Sequence, residues 1–302
     1  ANSFLPGLER QLVAFDDSAS GKLAASLAGW LAGSWKILTT SLHVPEVASG
    51  GAPIDTPPPT GKVARSQNAQ HEEVLSAAHT AEQSQVEESD RSLDVDTVTA
   101  EPGESASEAI ARESKKGFGL LVVGLDGSSK ADGMPSDQLQ HVAATFDGAM
   151  LVVRAGKAQA DEPICRDMLV AISGTDYAMR AAEVAFALAK ASRARVTVLY
   201  VSTAKERTGW LRQLGTRRSL AAHEVEIVEA TQKLGLRRGL TPEIAVATHR
   251  SADQAILNQL RRGEHDTLVI GVTPRRSGRL YYGETATTIL AKATTAVLLV
   301  KS

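Results

Sequence analysis

Cysteine is nearly absent: Cys165 is alone in 302 residues. One thiol excludes a disulfide framework and every multi-cysteine metal site, and nothing demands an oxidising compartment. Aromatic residues make up only 4%. That is too few for the stacking surfaces that hold single-stranded nucleic acid, so no nucleic-acid partner is expected. No uncharged apolar run reaches the roughly 18 residues that a membrane span needs. The best mimic, Leu23 to Gly33, is too short and follows Asp16 and Asp17 rather than a basic flank, so it is not a signal peptide. No Ser-His-Asp set, paired carboxylates or Walker-type lysine loop occurs at chemical spacing, which argues against an enzyme. His43, His79, His141, His223, His249 and His265 are scattered, so satisfied or exposed histidines are expected and no metal. Cys165 has no His-Asp pattern near it and reads as a bystander.

Apolar residues make up 43%, enough to bury real cores. The length suits two domains of about 150 residues each. The net charge of −2 hides an asymmetry. Residues 1–158 carry 12 basic and 21 acidic residues (12 − 21 = −9), and residues 159–302 carry 21 and 14 (21 − 14 = +7). Two mutually attracting solvated surfaces are the plain reading; an anionic ligand welcome only in the second half is the sharper one.

The chain repeats itself. Gln11–Ser18 (QLVAFDDS) has its counterpart in Met168–Thr175 (MLVAISGT), and Leu12 to Val44 aligns with Leu169 to Val201 without a gap (169 − 12 = 157). Later, Leu121–Gly124 answers Leu268–Gly271, and Leu151–Val153 answers Leu298–Val300 (298 − 151 = 147). The halves are two copies of one domain, 1–158 and 159–302, the first longer in its middle by ten residues (157 − 147 = 10). The extra residues belong to the loop at 45–62, which holds Gly50, Gly51, Pro53 and Pro57 to Pro59.

Hydrophobic periodicity predicts strands beginning at Leu12, ending at Val44, and at 93–98, 118–123 and 149–154 in the first copy. An Ala-rich amphipathic helix follows the first strand, with others at about 67–88, 105–116 and 136–146. In the second copy strands fall at 168–172, 195–201, 242–248, 266–271 and 296–301, and helices near 176–191, 219–235, 252–262 and 284–293. Short all-apolar strands alternating with helices specify an α/β fold, a doubly wound five-stranded parallel sheet in each copy. Such sheets bind ligands beyond the carboxyl ends of their strands, where the winding reverses. With first and fourth strands adjacent, Asp16–Ser20 meets Gly124–Asp137, and Ser173–Tyr177 meets Gly271–Thr285.

The strand Leu12–Asp16, the glycine loop after the fourth strand and the closing Leu-Val-Val strand resemble the universal stress protein family, over almost the whole chain as two tandem copies. The resemblance implies the adenine nucleotide alpha hydrolase-like fold, two copies packed as a pseudo-dimer, and ATP, ADP or AMP as ligand with no required cofactor. The family's phosphate loop uses glycines for close backbone approach and a hydroxyl at a helix start. Both copies depart from it. In the first, Gly124 and Gly127 match, but Ser136 and Asp137 stand where the closing Gly-Ser belongs, and Asp126 and Asp132 repel phosphate. In the second, Gly271 matches, Pro274 replaces a glycine, and Gly283 arrives early, before Glu284 and Thr285. Arg275, Arg276 and Arg279 make this loop basic. The family's nucleoside-binding aspartate corresponds to Asp16 and is Ser173 in the second copy. The implied site is Ser173, Thr175, Gly271, Arg275, Arg276, Gly278, Gly283 and Thr285, with Asp16, Ser18, Gly124 and Gly127 as a weaker one.

Gly271–Gly283 (GVTPRRSGRLYYG) and Phe146–Ala149 (FDGA) further resemble the tandem stress-protein tail of monovalent cation:proton antiporters. That resemblance implies a cytoplasmic regulatory tail, a transmembrane transporter as partner in the same parent chain, and anchoring of the parent in the cell membrane. The first residue, Ala1 rather than Met, fits a processed or cut chain. The alternatives are a stand-alone tandem protein acting only in structure or homodimerisation, and a nucleotide-transferring enzyme on the same fold. Asp16 reads equally as ligand group and helix cap, Asp17 as a turn residue, and Trp30 and Trp35 as packing groups. The basic stretch Lys205–Arg218 around Trp210 reads as a solvated loop before an acidic-membrane contact.

Overall fold

The structure is a computed structural model that describes residues 5–44, 72–77, 95–101, 103–125, 130–157, 165–202, 221–273 and 282–302. After a short turn at Leu5–Gly7, the first copy runs β1 (Arg10–Phe15), α1 (Ala19–Trp35), β2 (Leu38–His43), a helical stretch α2 (72–77), β3 (Val95–Thr99), α3 (Ala106–Ser114), β4 (Leu120–Gly124), α4 (Asp137–Thr145) and β5 (Ala149–Arg154). The second runs β6 (Asp167–Ile172), α5 (Asp176–Ser192), β7 (Arg195–Ser202), α6 (Ala222–Arg237), β8 (Glu243–Thr248), α7 (Ala252–Arg262), β9 (Thr267–Val272), α8 (Glu284–Lys292) and β10 (Ala296–Lys301). The Pro/Gly loop at 45–62, most of the expected helix at 67–88 and the basic stretch Lys205–Arg218 lie outside the described residues.

The repeat is visible element by element. α1 and α5 share the larger offset from end to end (176 − 19 = 157), and α4 with α8 and β5 with β10 share the smaller (284 − 137 = 147). All ten strands join one sheet, in the order β3-β2-β1-β4-β5-β10-β9-β6-β7-β8. Each copy contributes five parallel strands with β1 beside β4 and β6 beside β9. The copies meet at β5 and β10, the antiparallel pair, in register from Val297↔Arg154 to Lys301↔Met150. These strands are buried along their apolar lengths, and apolar edges left open invite pairing.

Side chains alternate across the sheet as the period of a strand requires. Val13 and Phe15 enter the layer of α1 and α5, while Leu12 and Ala14 enter the layer of α3, α4, α7 and α8. α1 and α5 depart from the amphipathic expectation. Each buries alanines, glycines and leucines around most of its circumference, because it is covered by the sheet on one side and by its counterpart on another. Small side chains such as Ala25, Ala28, Ala182 and Ala185 permit that close approach. A polar tie spans the copies here. Glu183 Oε1 accepts from the Leu5 amide at 3.2 Å and from Arg238 at 2.9 Å, and the Arg238 guanidinium lies 4.0 Å from the Trp35 ring centre.

The strand pair is bracketed by two matching cations. Arg154 at the end of β5 donates to the Ala293 and Thr295 carbonyls at 3.0 and 3.1 Å. Lys301 at the end of β10 donates to the Phe146 carbonyl at 3.1 Å. Ala293 and Phe146 are the C-caps of α8 and α4, so each cation meets the negative end of a helix in the other copy. Burial pushes both cations below their ordinary pKa values. Arg154→Met and Lys301→Met are each expected to destabilise the fold by about 1–3 kcal/mol in urea unfolding; unchanged midpoints in both variants would remove these contacts from the account of the copy interface.

Candidate functional site

At the carboxyl ends of β6 and β9 the second copy holds a cavity of about 490 Å³. Its walls are apolar and tyrosine-rich, including Ile172, Tyr200, Ile256 and Tyr282, and its rim carries Ser173, Thr273 and Thr285. In the first copy a small cavity of about 10 Å³ lies on the matching side of β4, between Ala106, Val123, Leu125, Ser136 and Leu139. The repeat explains the difference: Leu125 stands where the second copy has Val272, and Leu139 stands where it has Ala286. Two larger side chains narrow the first copy on this side.

The helix starts differ in the same sense. In the first copy both helices facing the place are capped from within. Ser18 Oγ accepts from the Gly21 amide at 3.1 Å on α1, and Ser136 Oγ accepts from the Leu139 amide at 3.2 Å on α4. Asp16 is 4% exposed, and its Oδ1 accepts from the Ser18 amide at 3.1 Å and from the Ser18 hydroxyl. Asp17 pairs with the buried His43 at 3.1 Å. In the second copy neither helix has a side-chain cap. Thr175 precedes α5 but its hydroxyl bonds Ser173 Oγ at 3.0 Å, and Gly283 precedes α8 with φ +91. The first-turn amides of a helix have no intrahelical acceptor. Tyr177 and Ala178 of α5 and Glu284, Thr285 and Ala286 of α8 all border the cavity. Two positive helix ends therefore converge on it, opposed by the exposed Glu284 carboxylate.

The glycines shared by both loops have a packing duty. A Cβ on Gly124 would stand 2.2 Å from the Ser20 carbonyl oxygen, and one on Gly271 would stand 2.3 Å from that of Tyr177. Each lets the first turn of α1 or α5 cross its strand end. Gly283 differs: its open surroundings leave room for a Cβ, and the left-handed φ is what requires glycine. Arg275, Arg276, Gly278 and Gly127, expected at the phosphate, lie outside the described residues, as do Asp126, Pro274 and Arg279.

Sequence reasoning missed the tyrosines. Tyr200 Oη donates to Glu224 Oε1 at 3.5 Å, and Ser202 Oγ donates to the same oxygen at 2.7 Å. Burial, then the Glu224 charge, raises the Tyr200 pKa, while the Ser202 hydroxyl holds the Glu224 carboxyl below its usual range. The size exchanges at Val272 and Ala286 were open to a residue-by-residue comparison of the two copies.

A larger cavity of about 610 Å³ lies at the amino ends of β6, β7 and β8, beside the 2.6 Å Asp167–Arg195 ion pair. That is the wrong end of a doubly wound sheet for the ligand site. His265 lines it and departs from the expectation of a satisfied or exposed histidine. Both ring nitrogens are buried without a partner, because the ring sits against Gly263. Among the described residues no group of three or more His, Cys, Asp or Glu could hold a metal ion, and no helix is long and apolar enough to cross a membrane.

Residues 165–301 match the model of the Universal stress protein family. A universal stress protein from Archaeoglobus fulgidus DSM 4304 superposes with TM-score 0.57 at 12% identity, covering 97% of this chain and 98% of that one. A functionally unknown protein from Pseudomonas aeruginosa PAO1 superposes with TM-score 0.55 at 16% identity, covering 98% and 94%. At these identities the likeness is one of fold. Comparison with curated proteins finds no match.

Gly124→Ala and Gly271→Ala are each expected to cost at least about 2–3 kcal/mol, because the clashing atoms are backbone. Wild-type unfolding midpoints in these variants would contradict the strand–helix crossing described. Burial lowers the His265 pKa below its ordinary 6.5. The folded state then binds fewer protons than the unfolded chain just below that pH, so stability is full above 6.5 and falls on acidification through the lowered folded value. His265→Gln is expected to flatten that acid-side loss in urea unfolding across a pH series.

Proposed function

We propose that the chain is a non-enzymatic, ligand-sensing module whose second copy binds an adenine nucleotide weakly, its phosphates at the amino ends of α5 and α8. The observation that carries this reading is the pairing of an open cavity with two helix starts that lack side-chain caps, in the copy whose counterpart carries larger side chains and is self-capped. Helix amino ends attract anions through their unpaired amides and dipole. Arg275, Arg276 and Arg279, close in sequence, add charge and forked donors suited to phosphate. Glu284 opposes them, and Ser173 lacks the carboxylate that would hold a nucleoside hydroxyl. The balance predicts an affinity on the order of micromolar to millimolar, about 4–8 kcal/mol.

Calorimetric titration with ATP, ADP and AMP tests the reading. One site per chain is expected. Ala286→Leu, which copies the first copy's Leu139, should abolish binding, and the Arg275→Ala, Arg276→Ala double variant should weaken it. Binding that survives Ala286→Leu but is lost in Asp16→Ala would move the site to the first copy. No heat at millimolar nucleotide would favour a purely structural or dimerising role.

We further propose that the module is the cytoplasmic tail of a monovalent cation:proton antiporter. The support is the two stretches Gly271–Gly283 and Phe146–Ala149. Sequencing the parent gene upstream of Ala1 tests this: a series of hydrophobic spans is expected, and a start codon at that point would end the proposal.

A further inference from the structure

We propose that the outer edge of the second copy, β8 with the exposed side of α6, is a self-association surface, on which a second molecule of this chain pairs β8 with β8, antiparallel about a two-fold axis. β8 is the last strand of the sheet order, and β7 pairs with one of its two sides. The His249 amide donates to the Ser202 carbonyl at 3.3 Å, so alternate residues back from it turn their backbone groups to β7. Ile244, Val246 and Thr248 therefore turn theirs to the open side. α6 and α7 pack more on β7 than on β8. Native edges are blunted by charge, proline or a bulge. The opposite edge, β3, carries Asp96 within the strand, whereas β8 has no charge and no proline from Ile244 to Thr248. Of the four exposed large apolar side chains among the described residues, Val225 and Leu236 lie on α6 and Val246 on β8. Apolar exposure gathered at one edge marks an interaction surface.

The order of charges selects the occupant. β8 begins at Glu243 and is followed by His249 and Arg250. α6 carries Glu226 and Glu229 before Lys233 and Arg237. An antiparallel second molecule sets acid against base in both elements, whereas a parallel one sets like against like. With the two Val246 side chains opposite each other, Ile244 faces Thr248, and Glu243 faces His249 beside Arg250. The chain already uses this arrangement internally. The pairing of β5 with β10 sets Val152 opposite Leu299, equivalent residues of the two copies (299 − 152 = 147), and brings α1 against α5. The formal +7 of each meeting half opposes the approach, and salt screens it.

Sedimentation equilibrium at about 0.15 M salt, with chain concentrations up to the order of 100 μM, is expected to show a reversible dimer. Val246→Lys, at a site 45% exposed, should raise the dimer dissociation constant at least about tenfold without changing the circular dichroism spectrum. Glu243→Arg should weaken the dimer, and Arg250→Glu added to it should restore association. Hydrogen exchange at the Ile244, Val246 and Thr248 amides should slow as chain concentration rises, with Ala245 and Ala247 unchanged. A chain that stays monomeric would overturn the inference. So would a dimer indifferent to Val246→Lys, or one that leaves those three amides unprotected. Growth beyond the dimer would also overturn it, because two-fold pairing closes at two molecules whereas head-to-tail pairing of β8 with β3 does not.

Discussion

The antiparallel pairing of β5 with β10 is the contact on which the architecture depends. It turns two parallel half-sheets into one sheet of ten strands and hides two apolar edges that would otherwise recruit other chains. It also sets the pseudo-two-fold relation that brings α1 against α5 and aims Arg154 and Lys301 at helix ends in the opposite copy. The −9 and +7 formal charges of the halves add a diffuse attraction that salt screens, whereas the paired strands and buried helices are insensitive to it.

Symmetry at that interface permits asymmetry at the ends of the sheet. In the first copy the carboxyl ends of the strands serve internal structure: leucines stand where the second copy has smaller residues, serines cap both helices, and Asp16 and Asp17 are engaged by Ser18 and His43. The other copy keeps a cavity of about 490 Å³ there, bordered by two helix starts without side-chain caps. Large for small at Leu125/Val272 and Leu139/Ala286, and serine for glycine at Ser136/Gly283, distinguish the two ends. The first copy then serves as the fixed half of the scaffold. Its loop before α4 reaches across to α8, where a Cβ on Gly133 would meet the Thr287 carbonyl oxygen at 2.0 Å.

Much of this was legible in the sequence because the two copies report on each other. The strands 149–154 and 296–301 and the helix 252–262 were read to the residue, since apolar runs bounded by Gly, Asp and Ser leave little freedom. α6 is described from Ala222, where Glu224 accepts from the Ala221 amide at 2.8 Å; the expected start near 219 lies outside the described residues. The all-round burial of α1 escaped a periodicity argument because alanine and glycine are compatible with either face. Within the site, Gly271 and Gly283 were identified by type, but their separate duties, close crossing and left-handed φ, are properties of the fold. Tyr200 and Tyr282 were missed because nothing local distinguishes a core tyrosine from one on a cavity wall.

The central claim, that anion recognition resides in the uncapped helix starts of the second copy, is tested most directly by the amide resonances of the chain titrated with ATP. The account predicts saturable shifts at Tyr177 and Ala178 and at Glu284, Thr285 and Ala286, with Ser20, Gly21, Gln138 and Leu139 unmoved. Shifts confined to the first copy's helix starts would contradict it.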